Sequence, residues 1–154
     1  MVRTSKPNQD PGEKKPLSGA VALITGGSRG IGRAIARQLA TLGASVAICG
    51  RDIAALEEAA LDVAKLGVPV HSQVADITKS GDIADFVAKT ETKLGPITIL
   101  VNNAGIGLFG PAHERTEPDW DRVLNTNLKS VFLVSRAVAP SMIRRGSGDI
   151  INIS

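Results

Sequence analysis

Apolar residues in this chain fall into short continuous runs, separated by stretches where they recur at helical spacing. Residues 20–25 form the first run, which reads as a buried strand. Ile31, Ile35, Leu39 and Leu42 then repeat three or four positions apart and predict a helix ended by Gly43. A second strand is predicted over 45–49. Ile53, Leu56, Ala60 and Val63 mark a second helix closed by Gly67, and a third strand follows over 70–75. Ile83, Phe86, Val87 and Leu94 line a third helix closed by Gly95-Pro96. Residues 97–101 are apolar almost throughout, the pattern of a strand covered on both faces. A loop rich in Gly and Pro runs to about residue 111. Trp120, Leu124, Leu128, Val131 and Val138 mark a long fourth helix, which Pro140 is expected to kink or end. A fifth strand is predicted over 149–153.

Strands alternating with helices predict an α/β fold, a Rossmann-type doubly wound parallel sheet with helices on both faces. The 154 residues suit one domain, expected over 17–154. Residues 1–16 are polar, contain Pro7, Pro11 and Pro16, and are expected to form a disordered N-terminal extension. Of the net charge of +3, two units belong to that extension, so the body is nearly neutral and carries no electrostatic footprint for nucleic acid. Cys49 is the single cysteine, which excludes an intrachain disulfide and makes a cytoplasmic, reducing setting the simplest expectation. No apolar run reaches the ~18 residues of a membrane span. Cys49, His71 and His113 are dispersed without ligand spacing, so no metal site is expected.

The candidate chemistry lies between the first strand and the first helix, in Thr25-Gly26-Gly27-Ser28-Arg29-Gly30-Ile31-Gly32. Glycines placed directly after a strand and at a helix start form the setting of a dinucleotide turn. Glycine permits positive φ and close backbone approach, and the helix start presents free N–H groups to a pyrophosphate. Gly26, Ser28, Arg29, Gly30, Ile31 and Gly32 are therefore candidate cofactor contacts. The plainer alternative is a Gly-rich turn with no ligand.

The octapeptide resembles the cofactor signature of the short-chain dehydrogenase/reductase family. Asn102-Asn103-Ala104-Gly105 resembles that family's N-N-A-G motif, and Asp76-Ile77 its adenine-contacting Asp-hydrophobic pair. Asn127 matches the helix Asn of its catalytic tetrad, and the ending Asp149-Ile150-Ile151-Asn152-Ile153-Ser154 resembles the strand leading to its catalytic Ser. The resemblance covers about residues 17–154 and is nearest in flavour to 3-oxoacyl-acyl-carrier-protein reductases. It implies hydride transfer between a nicotinamide and a carbonyl or alcohol carbon. It adds Asp76, Ile77, Asn103, Ala104 and Gly105 to the cofactor contacts, and Asn127 as a catalytic residue that organises a water in the proton relay. Each has a plainer alternative: Asn103 as a tie between strands, Asp76 as a turn cap, Asn127 as an ordinary helix residue. Thr98 stands where the family usually has an Asp that supports the adenine pocket, and a small effect on affinity is expected. The long fourth helix implies a possible homo-oligomer.

The charge pattern after the second strand favours NADP(H) over NAD(H). An acidic residue there would bind the ribose 2′-hydroxyl and repel a 2′-phosphate. Here the position holds Gly50, followed by Arg51, with Arg29 in the glycine turn and Asp52 adjacent. Two guanidinium groups suit a phosphate. The chain contains no tyrosine, so the family's Y-x-x-x-K pair is missing, and Ser154 reads as the residue before the catalytic Ser. The expectation is the truncated, cofactor-binding part of such an enzyme, five strands of the usual seven, inactive alone. The alternative is a non-catalytic NADP(H)-binding or interaction module. The small carbonyl or alcohol substrate cannot be read from these residues.

Overall fold

The computed structural model describes residues 14–154, so residues 1–13 of the expected extension lie outside the described residues. Lys15 is held at the edge of the domain, its carbonyl accepting from the Ser18 N–H at 3.0 Å. The elements that follow are β1 (Val21–Thr25), α1 (Gly30–Thr41), β2 (Ser45–Gly50), α2 (Ile53–Ala64), β3 (Val70–Val74), α3 (Ser80–Leu94) and β4 (Ile99–Asn102). A short 3-10 turn, Ala112–Glu114, leads into α4 (Glu117–Leu124). The π-helical turn Asn125–Lys129 joins α4 to α5 (Ser130–Arg145), and β5 (Asp149–Asn152) comes last.

The five strands are all parallel, in the order β3-β2-β1-β4-β5. This is the Rossmann-like α/β sheet that the alternation of runs predicts. Successive strand residues face opposite sides, so each strand feeds two cores. Leu23, Ala47 and Leu100 meet Phe86 and Val87 of α3 and Leu133, Val134 and Val138 of α5. Ile24, Val46, Ile48 and Val101 meet Ala36 and Ala40 of α1 and Leu56, Ala59 and Val63 of α2. The small residues of α1 bring that helix close to the sheet. The chain first lays strands outward from β1 to β3, then crosses back to place β4 on the other side of β1. That reversal opens a crevice at the carboxyl ends of β1 and β4, the usual ligand position in such sheets.

Three expectations need correcting. The fourth helix is not continuous: the π turn interrupts it, and such turns shift the phase of the apolar face. Trp120, Leu124 and Leu128, which mark the helix in the sequence, are exposed, and α4 buries no residue at all, while Leu133, Val134, Val138 and Met142 anchor α5 on the sheet. Pro140 does not end the helix, which runs on to Arg145. Pro140 and Arg136 both lie on the exposed side, where the helix tolerates the lack of the one N–H donor that a proline cannot supply. Finally, Ile97 and Thr98 precede β4, and Ile97 is fully buried.

Candidate functional site

The crevice is an open cleft of about 410 Å³. Its floor is the turn from β1 into α1. Gly26 adopts φ +65° and Gly30 φ +49°, conformations that glycine enters without strain. Gly32 lies in the first turn of α1 so close to the preceding turn that an added Cβ would stand 2.3 Å from the Gly26 carbonyl oxygen. Arg29, the residue before α1, gives it no side-chain cap, and the helix has no acidic residue in its first turn. Its first N–H groups are therefore unsatisfied by the helix and favour an anion.

Thr25, at the end of β1, joins this turn to the loop after β4. Its buried hydroxyl accepts from the Asn103 N–H at 3.0 Å and the Ala104 N–H at 3.1 Å. The Asn103 amide returns the contact, donating to the Thr25 carbonyl at 3.1 Å and the Gly26 carbonyl at 3.3 Å. Asn103 is thus a tie between the strand ends and also borders the cleft. Asn102 faces away from the cleft and straps β4 to its neighbours, donating to Ser135 Oγ at 3.1 Å and Asn152 Oδ1 at 2.9 Å.

On the far wall, Asp76 Oδ1 accepts from the N–H and hydroxyl of Thr78, at 3.0 and 2.8 Å. This is an Asx turn. Burial pushes the Asp76 carboxyl up, but the Thr78 donors, with Lys79 and Arg51 nearby, outweigh it and hold it below the usual carboxylate range. Between the walls, Arg51 borders the cleft beside Gly50, where a Cβ would come 3.0 Å from Ser28 Oγ. Arg29 forms an ion pair with Asp52, whose carboxylate also caps α2 by accepting from the Ala55 N–H at 3.0 Å. Cys49 lies at the cleft floor, and burial pushes its thiol up to about 12, so it is inert toward nucleophilic chemistry.

The structure brings together Gly26, Ser28, Arg29, Gly30, Arg51, Asp76, Ile77, Asn103, Ala104 and Gly105 around the cleft. Ile31 and Gly32 do not line it. The Ile31 side chain is exposed, and Gly32 is buried in the turn-to-helix contact. Asn127 also stands back. It sits in the π turn, and both ends of its amide are held by Ile106, the Oδ1 accepting from the Ile106 N–H at 2.8 Å and the Nδ2 donating to its carbonyl at 2.9 Å. Asn127 thereby fixes the loop that carries Ala104 and Gly105. Thr98 lies away from the cleft, at the amino end of β4, where it exchanges hydrogen bonds with the Val21 backbone. The strands are parallel, so a residue before β4 cannot border a crevice at its carboxyl end. Thr78 and Thr126 escaped the sequence reading, which named Thr25 and Asp52 without these roles. Only Asp52 carried a signal, as the helix-capping residue directly after Arg51.

Comparison with known proteins agrees with this geometry. A family model described as short chain dehydrogenase matches residues 20–154. Gluconate 5-dehydrogenase of Gluconobacter oxydans is 45% identical over 137 residues, which are 89% of this chain and 54% of that protein. The chain thus spans about half the length of that curated relative. A metagenomic short-chain oxidoreductase solved in complex with NADP superposes with a TM-score of 0.84 at 44% identity, covering 90% of this chain and 63% of that one. An NAD+-bound xylitol dehydrogenase superposes with a TM-score of 0.86 at 36% identity, covering 90% and 54%. Among the described residues no helix is long and apolar enough to cross a membrane.

Proposed function

The chain belongs to the short-chain dehydrogenase family, and from that premise we propose that its cleft binds a nicotinamide dinucleotide, NADP(H) in preference to NAD(H). One observation carries the reading: an uncapped helix start without a first-turn carboxylate opens onto a cleft bordered by two guanidinium groups, Arg29 and Arg51. The residues fit the group. The glycine turn leaves room for a pyrophosphate against the N–H groups of Gly30, Ile31 and Gly32. Asp76 and Ile77 frame the adenine end, and Asn103, Ala104 and Gly105 line the wall toward the nicotinamide. Gly50 leaves no carboxylate at the strand end to repel a 2′-phosphate.

When bound, the dinucleotide supplies or accepts a hydride, and a carbonyl or alcohol carbon of a small substrate is its partner in the complete enzyme. The part of this chain is to bind and orient. Asn127 acts through Ile106, holding the loop over the cleft, and its catalytic contribution is that of a positioning residue. The 154 residues include no tyrosine, so a chain of this composition binds cofactor and turns nothing over by itself. The same observation favours a second reading, a non-catalytic NADP(H)-binding module. Trp120, Leu124, Leu128 and Phe132 form an exposed apolar stripe at four-residue spacing, which supports pairing with a second copy through α4 and α5. A cytoplasmic location fits the single buried thiol.

Fluorescence titration with NADPH and NADH tests the cofactor assignment. Arg51→Asp should move the preference toward NADH. Unchanged relative affinities refute it, and oxidation of NADPH by a ketone in the presence of the purified chain refutes the prediction of inactivity.

A further inference from the structure

Side chains of α3 tie that helix to β3 and to the cleft wall that follows it. Lys93 Nζ lies 3.3 Å from His71 Nδ1, Asp85 Oδ2 accepts from Gln73 Nε2 at 2.7 Å, and Asp82 Oδ2 accepts from the Asp76 N–H at 2.9 Å. His71 stands among apolar neighbours. It lies beside Ala47 in the sheet, its ring is 5.8 Å from that of Phe86, and only 5% of it is exposed. An ammonium can only donate, so the Lys93 contact exists only while Nδ1 is a bare acceptor and the proton of the neutral ring sits on Nε2. Nε2 and Gln73 Oε1 are both buried without a hydrogen-bond partner among the described residues. The charged groups that act on the ring, Lys93, Lys89 and Asp85, all come from α3, and Asp85 is already shared between Gln73 and Lys89. β2 presents Ala47 here, and α2 packs on the opposite face of the sheet.

A second proton turns Nδ1 into a donor facing the Lys93 ammonium, and it leaves a buried imidazolium with no carboxylate hydrogen-bonded to it. Lys93 is exposed and can swing into water, but the ring reaches water only if α3 and β3 part. β3 is an edge strand bonded to β2 alone, so the two elements can separate from the sheet at the loss of one ladder. The segment that joins them carries Asp76, Ile77 and Thr78, one wall of the cleft. Resting on the proposed cofactor reading, we infer that His71 is a proton-sensitive latch on the β3–α3 unit: protonation opens the unit, the wall at Asp76, Ile77 and Thr78 is lost, and the dinucleotide is released. Near neutral pH the latch is closed, because burial, then Lys93 and Lys89, hold the folded imidazole below its ordinary 6.5 against the pull of Gln73 and Asp85. Opening restores the ordinary value, so it becomes easier as the pH falls from there through the folded value. The cofactor binds the closed unit and in turn opposes protonation.

The test compares NADPH dissociation constants of the 154-residue chain and its His71→Gln variant at about pH 7.5 and about pH 5.5, by fluorescence titration. The 2′-phosphate titrates near pH ~6 for both proteins and cancels in the comparison. Over this interval the parent should lose at least about threefold more affinity than the variant, which has no group to protonate at this place. Hydrogen exchange, corrected for its intrinsic pH dependence, should quicken at the lower pH in Val70–Val74 and Ser80–Leu94 but not in β1 or β4, and NADPH should suppress the change. Circular dichroism checks folding, and His71→Phe, which keeps a flat ring beside Phe86, replaces His71→Gln if that variant does not fold. A smaller difference in affinity loss overturns the inference while leaving the cofactor reading intact, and so does exchange that quickens evenly over all strands. A folded parent that binds no NADPH at the higher pH overturns the cofactor reading, and with it the link from latch to binding.

Discussion

Replacing Gly32 with alanine sets two effects of opposite sign against each other. Gly32 lies inside α1, and alanine in a helix interior is favoured over glycine by about 1 kcal/mol. The new Cβ, however, would stand 2.3 Å from the Gly26 carbonyl oxygen and 2.4 Å from Asn103 Nδ2. The first is backbone, and the second belongs to a side chain already tied to the Thr25 and Gly26 carbonyls. Relief requires α1 to move off the turn. Overpacking of this kind costs about 1–3 kcal/mol, and each Asn103 hydrogen bond lost adds about 1 kcal/mol. The clash wins, with a net destabilisation of about 2–3 kcal/mol. For a chain of this size that lowers Tm by roughly 5–10 °C. Urea denaturation followed by circular dichroism measures the loss, and NADPH titration should show at least a tenfold weaker complex because the turn itself has shifted. A variant within about 0.5 kcal/mol of the parent would show that helix propensity dominates and that close approach is not what places glycine at position 32.

Three further outcomes follow from the same geometry. Gly30→Ala meets no atom within 4 Å, so only its φ of +49° is penalised. It should cost about 1–2 kcal/mol of stability yet weaken NADPH binding at least as much as Gly32→Ala, read by the same two assays. Asn127→Ala releases both polar groups of Ile106, which water replaces. Global stability should fall by about 1 kcal/mol or less, while hydrogen exchange at the Ile106 amide quickens about tenfold. His71 is buried, and burial together with the Lys93 ammonium 3.3 Å from Nδ1 holds its imidazole below the ordinary value of 6.5, Gln73 pulling the other way. The unfolded chain therefore takes up a proton near pH 6.5 before the folded one does. The contribution is fully present above that pH and is lost as pH falls from there through the folded value. Thermal melts between about pH 7.5 and pH 5 should show a smaller loss for His71→Asn than for the parent, and equal slopes would contradict this.

Sequence alone determined the layered architecture. Short apolar runs, helical repeats and the closing glycines at 43, 67 and 95 place the strands and the first three helices, because burial on both faces leaves a strand no polar positions. It also located the glycine turn, since a strand followed by closely spaced glycines is a local pattern. Tertiary structure decided what depends on contacts between distant segments. Trp120, Leu124 and Leu128 face solvent although their spacing is regular, because α5 packs on the sheet while α4 and the π turn at 125–129 bury no residue. Thr98 turned out to sit at the wrong end of a parallel strand to border the cleft. Thr25 and Asp52 gained their roles from partners 78 and 23 residues away, Asn103 and Arg29. Periodicity reports how one element meets the core. It carries no information on which side chain from another element will meet it there, and that pairing is what shapes the site.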